Sequence, residues 1–250
     1  MLRTSPTGLT PAAMRAALGE GFALDMPLRV REQLDLDVLV MDIEGDAYSL
    51  QVAQRHVIIV KRTATWSRQN FSLAHELAHV ASRHFTGQAR TCDASEEGAA
   101  NAYAAELLMP EDVIGTTDWQ HARAGDVAAM VWDLGVSTEA LRNRINNLGL
   151  TMGTATEELL ELNTFKLLRT HWEGRHRKPD QITARRERAA ARTIPPELVT
   201  RLEARVTEGT APPESLAFAL DVPVDEVDAA MPSDDTIEDD LALLRELADR

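Results

Sequence analysis

The sequence predicts an α+β fold: a small β-sheet packed on a histidine-bearing helix, followed by a mainly α-helical C-terminal region with helix-turn-helix-like units. Three short runs with apolar alternation and β-branched residues fall together between residues 37 and 60. Almost everything after residue 72 has helical spacing instead. No period of 20–50 residues repeats, which argues against a solenoid.

Residues 11–20 and 27–34 read as short helices opened by prolines, with Gly19 and Gly21 between them. Residues 37–41, 47–52 and 56–60 are the expected strands, the first two separated by the turn Glu44-Gly45-Asp46. A helix over residues 72–84 follows from the spacing of Leu73, Leu77 and Val80, with Asn70 or Ser72 as N-cap. After a polar loop, a helix over residues 95–109 stops at Pro110 and is rich in alanine and glycine, which permits close approach to another helix or to a metal. Residues 125–134, Gly135-Val136-Ser137 and residues 138–147 read as helix, tight turn, helix. One more helix is expected over residues 157–171, then a basic link over residues 176–192. Pro195-Pro196 opens a helix, a second two-helix unit surrounds Asp221-Val222-Pro223-Val224, and residues 234–250 form an acidic tail of helical pattern. The expected divisions are a metal-bearing domain over residues 1–118, a helix-turn-helix-like region over 119–175, and a linker with a helical region over 176–250.

The chain of 250 residues suits one large domain or two small ones. Its 44% apolar and 26% charged residues are those of an ordinary globular protein. A single cysteine, Cys92, cannot form an intrachain disulfide, which fits a reducing compartment and makes the cytoplasm the expected location. No apolar run reaches membrane-spanning length, so no membrane is expected among its partners. A formal charge of −14 opposes a polyphosphate and disfavours direct DNA binding, though a local basic patch could supply it.

One pentapeptide carries chemistry: His75-Glu76-Leu77-Ala78-His79. Two histidines four residues apart lie on one helical face, near enough to hold one zinc ion. A carboxylate at the position of Glu76 serves as general base towards a metal-activated water, which is the chemistry of peptide hydrolysis. A catalytic zinc needs a third protein ligand. A histidine six residues beyond His79 would supply it in one class, but Phe85 stands there, Ser82 replaces the required glycine, and His84 is out of register. The other option is a glutamate on the next helix, for which Glu96 and Glu97 compete. Glu97, Ala100, Asn101 and Ala104 share one face, which favours Glu97 and leaves Glu96 as a solvated neighbour or an N-terminal dipole partner. Manganese is also acceptable to a His, His, Glu donor set.

These residues resemble the ImmA/IrrE metallopeptidases. RQNFSLAHELAH (residues 68–79) and EGAANAYAAELLMP (residues 97–110) are similar in order and spacing to that family's RFTLAHELGH and ExEANxFAAxLLMP. The resemblance places metal ligands on His75, His79 and Glu97, the catalytic glutamate on Glu76, and Asn101 on the family's AN pair. Ala78 replaces a usual glycine, and Ala99 and Tyr103 replace a common Glu and Phe. A weaker similarity continues through residues 135–150, as in the helix-turn-helix segment that follows such domains. The family implies a zinc-dependent, site-specific metalloendopeptidase that cleaves an XRE-type transcriptional repressor and so derepresses mobile-element or stress-response genes. The alternative is a non-catalytic regulator that binds DNA or a protein partner through the helix-turn-helix region, with a structural or relict metal site.

Other features are weaker. The strand over residues 56–60 offers an edge for a peptide to add to. His56 at its head is an oxyanion candidate or a surface histidine, Tyr103 a transition-state donor or a core aromatic, and Cys92 a redox-sensitive thiol or a plain loop residue. Arg142, Asn143, Arg144, Asn146 and Asn147 resemble a groove-reading set, but packing or substrate docking is the favoured reading. Asp225, Glu226 and Asp228 oppose phosphate binding at the second two-helix unit.

Overall fold

The computed structural model describes residues 3–52, 55–82, 93–176 and 180–230. Two compact units divide between Thr193 and Ile194. The expected helical end of residue 84, the loop with Cys92 and the acidic tail over residues 234–250 lie outside the described residues.

In the first unit, α1 (Pro11–Leu18) and α2 (Met26–Gln33) start at Thr10 and Asp25, whose side chains accept from the backbone N–H of Ala13 and Leu28. Strands β1 (Leu36–Met41), β2 (Ala47–Val52) and β3 (Arg55–Lys61) form a mixed sheet of order β1-β3-β2, with β1 parallel and β2 antiparallel to β3. The turn at Glu44-Gly45-Asp46 is therefore not a hairpin, because β1 and β2 lie on opposite sides of β3. The expectation that the strand over residues 56–60 is an edge is corrected: β3 is central. The outer side of β1 is occupied at Val40, whose N–H and C=O exchange 2.8 Å hydrogen bonds with Thr193. Among the described residues no strand pairs with the outer side of β2.

One face of the sheet presents Ile58 and Val60, both fully buried, to α3 (Trp66–Ala81), which packs on β2 and β3. Helix α3 buries Leu73, Leu77 and Val80, and each fully buried side chain of this kind contributes about 1.5–3 kcal/mol of transfer free energy. The helix begins six residues before the expected start. Its first two turns look polar in sequence, but Gln69 and Asn70 are buried because they have acceptors. Gln69 Nε2 donates to the carbonyls of Lys61 (3.2 Å) and Ala189 (2.9 Å). Asn70 Nδ2 donates to those of Ala23 (2.9 Å) and Gly135 (3.1 Å).

Helix α4 (Ala94–Leu108) lies against α3, with Ala100 and Ala104 buried, as its small residues allow. A single turn, α5 (Glu111–Ile114), leads to α6 (Ala124–Leu134) and α7 (Thr138–Asn147), the expected helix-turn-helix. Its turn is packed inward. Gly135 has φ 64°, and a Cβ there would stand 2.7 Å from the Arg185 guanidinium and 2.9 Å from the Ala23 carbonyl, so glycine is required twice over. The expected helix over residues 157–171 is two helices, α8 (Thr154–Glu161) and α9 (Thr164–His171). Asn163 separates them by accepting from the Phe165 N–H at 2.9 Å, an N-cap that interrupts an otherwise continuous pattern.

The basic link is also corrected. Residues Gln181–Ala190 form α10, held in the first unit by Arg185, which is 3% exposed. Its guanidinium lies 4.7 Å from the ring centres of both Trp66 and Trp132 and donates to the carbonyls of Trp132 (2.7 Å) and Ala23 (2.5 Å). Burial pushes its pKa down to about 9. One hydrophobic core runs from Met14 through Trp132, Leu141 and Leu168 to Ala189.

The second unit contains α11 (Pro196–Thr207), α12 (Pro213–Leu220) and α13 (Val224–Ala230) around Val206, Leu216, Ala217 and Val227. The α12–α13 turn passes through Asp221 in the left-handed region, and Asp225 and Glu226 are exposed. No helix among the described residues is long and apolar enough to cross a membrane.

Candidate metal centre

Helix α3 presents His75 and His79 on consecutive turns, their ring centres 4.8 Å apart and nearly perpendicular. The two Nε2 atoms lie 3.0 Å apart. From α4, Glu97 brings Oε2 to 3.2 Å from His75 Nε2 and Oε1 to 3.6 Å from His79 Nε2. One ligand atom from each of the three residues falls within a 4.8 Å group. His79 is buried and His75 nearly so, while the Glu97 side chain is 46% exposed, which leaves the group open on one side.

This donor set fits a metal ion. Tetrahedral ligands at about 2.0–2.2 Å from zinc stand roughly 3.3–3.5 Å from one another, close to the separations found. His75 Nδ1 lies 3.0 Å from Asn101 Oδ1. An amide oxygen only accepts, so the proton sits on Nδ1 and Nε2 keeps its lone pair for a ligand. Three electron-pair donors are thus grouped where water can reach them, a set that could hold a metal ion and leave room for a further ligand.

The model of the IrrE N-terminal-like domain, peptidase M78, matches residues 31–146. Residues 31–146 are thus similar to the M78 peptidases. A search of curated proteins found no match. The M78 match runs into α7 and so covers both helices of the helix-turn-helix-like pair.

Within the matched segment, Glu76 is placed by the sheet. Ser49 of β2 donates from Oγ to Glu76 Oε2. Ser49 pairs with Ile58 in the antiparallel register, and that register turns both side chains towards α3. Sequence reasoning missed Ser49, because its partner is 27 residues away and no local pattern links a strand serine to a helix glutamate. It also gave Asn101 no role, although the shared face of Glu97 and Asn101 was legible.

Glu96 is spent elsewhere. Its Oε2 accepts from the Asp93 N–H at 3.0 Å, while Asp93 Oδ1 accepts from the N–H groups of Ser95 and Glu96 at 2.9 Å. The two form a capping box, which leaves Glu97 as the carboxylate facing the histidines. Tyr103 donates to the Leu9 carbonyl at 2.8 Å, outside the ligand group, and burial pushes its phenol up to about 12. His56 is paired in the central strand between Leu36 and Gln51 and is not among the grouped ligand atoms. From α7, Arg144 donates to the Met109 carbonyl at 2.9 Å and pairs with Glu106, which makes it a packing residue.

Proposed function

We propose that this protein is a zinc-dependent, site-specific endopeptidase, with His75, His79 and Glu97 as ligands and Glu76 as general base. The observation that carries the reading is the convergence of the three ligand atoms beside a glutamate whose carboxylate is oriented by Ser49. Zinc held by His75, His79 and Glu97 would supply Lewis acidity and acidify a water. In that chemistry Glu76 would be the general base, accepting a proton from the attacking water and returning it to the departing amine. Ser49 holds one oxygen of Glu76 and so directs the other. Asn101 holds the His75 ring in the tautomer that a ligand needs. Manganese would be accepted by the same donors.

The side of β2 with which no described strand pairs is where an extended peptide can add as a further strand, because Ser49 connects that strand directly to the base. The substrate implied by the resemblance is an XRE-type repressor, and cleavage of it would derepress mobile-element or stress-response genes. Helix α7 favours a protein over DNA as the partner, since Arg144 is tied to Glu106 and Met109 rather than presented outward.

The test is a peptidase assay on the zinc-loaded protein beside Glu76→Gln. The variant keeps the metal and loses cleavage by several orders of magnitude. A variant as active as the wild type removes Glu76 from the reaction and supports the binding-only regulator.

A further inference from the structure

A cavity of about 910 Å³ opens between the start of α3, the outer face of α4 and the exposed face of α7. Two of its lining residues join it to the centre already described. Asn101 is the partner of His75, and Asp46 immediately precedes β2. The cavity therefore borders the ligand group at Asn101 and the start of β2 at Asp46.

Its chemistry is that of a peptide subsite selecting by volume. The floor is apolar, formed by Phe71, Ala105, Met109, Val136 and Ala140. Of its four charged lining residues, Asp46, Arg68 and Arg144 are ion-paired, and the fourth, Glu139, is exposed at the rim. Arg68 and Asp46 form a bidentate pair at 2.8 and 2.9 Å, and Arg144 is bound to Glu106. Asn143 and Asn147, one turn apart and exposed, present amide donors and acceptors along α7. Residues four apart on a helix are displaced by about 6.0 Å along its axis. Alternate residues of an extended chain are displaced by about 6.6–6.8 Å. Two amides so spaced can meet the backbone of alternate residues in an extended peptide lying along the helix.

Resting on the peptidase reading, we propose that α7 is the specificity wall of the enzyme. The cavity holds an extended substrate segment beside the scissile bond, with Asn143 and Asn147 on its main chain. A large uncharged side chain such as Leu, Met or Phe sits on the floor between Phe71, Met109 and Ala140. The helix-turn-helix-like pair then serves peptide selection rather than groove reading.

The experiment digests a library of tryptic peptides with the zinc-loaded full chain and reads the cut sites by mass spectrometry. Ala140→Trp, which fills the floor, and Asn143→Ala/Asn147→Ala, which removes two exposed amides without touching the core, are run in parallel. Wild-type sites are enriched about tenfold or more in large uncharged residues at one fixed position near the scissile bond, the selectivity a shaped apolar pocket provides. Ala140→Trp shifts that position to Gly or Ala, and the double variant raises KM more than it lowers kcat. An Ala140→Trp that does not hold zinc leaves the decision to the double variant. Unchanged cut-site profiles and KM values in zinc-loaded variants overturn the subsite alone. A zinc-loaded wild type that cuts no peptide overturns the subsite together with the peptidase reading.

Discussion

His75 Nδ1 and Asn101 Oδ1 lie 3.0 Å apart, a hydrogen bond from one helix to the next that fixes which nitrogen of the imidazole is left for a ligand. Asn101 has no place among the grouped ligand atoms. Its effect is to hold the ring, remove one tautomer and tie α4 to α3 beside Glu97.

Asn101→Ala therefore weakens zinc binding by about 10–100-fold, the usual loss when a ligand histidine is deprived of its outer partner. Asn101→Asp keeps an acceptor and recovers most of the affinity. Competition with a fluorescent chelator measures both. Equal affinity in wild type and Asn101→Ala removes Asn101 from the site.

Ser49→Ala releases one oxygen of Glu76 while leaving all three ligands in place. The expected outcome is a fall in kcat of about tenfold, in the lower part of the range for a positioned acid–base group, with unchanged zinc content. Loss of zinc along with activity would assign Ser49 to the fold of the site instead.

Tyr103 gives a pH signature. Its pKa in the folded chain is raised to about 12 by burial, above the ordinary value of 10. The unfolded chain loses the phenolic proton first, so this contribution to stability is complete below about pH 10 and disappears as pH rises towards 12. Tyr103→Phe forfeits the hydrogen bond to Leu9 but removes that loss. Urea midpoints at pH 8 and pH 11 should fall less for the variant than for the wild type. An equal fall contradicts the assignment.

Arg185→Ala strips two hydrogen bonds from the buried carbonyls of Trp132 and Ala23 and empties the space against two indole rings. A loss of about 3 kcal/mol follows from unsatisfied acceptors and lost packing together. Arg185→Met refills part of the volume and costs less, because a buried charge is desolvated at a penalty that methionine avoids. Thermal melts of both variants decide it, and a surface linker would show no change in either.

The three grouped donors are legible in the sequence because the patterns that carry them are local. His75 and His79 share a helical face by spacing alone, and EGAANAYAAELLMP has its own register. The choice of Glu97 over Glu96 followed from the same periodicity, and the capping box supplies its physical reason. What stayed hidden depends on partners distant in the chain. Strand order is not written in any one strand, so β3 looked like an edge although it pairs on both sides. Gln69, Asn70 and Arg185 look like surface residues by type, yet each is buried by carbonyls that only the folded chain brings near. Ser49 is invisible for the same reason.

The central claim is tested most directly by elemental analysis of zinc in purified wild type, Glu97→Ala and Glu96→Ala. The account predicts stoichiometric zinc in the wild type, its loss in Glu97→Ala, and its retention in Glu96→Ala. That last variant instead melts earlier, having lost a cap interaction of about 1 kcal/mol. A wild type that holds no metal after zinc is supplied at neutral pH contradicts the account. So does a chain that loses its zinc with Glu96 and keeps it without Glu97.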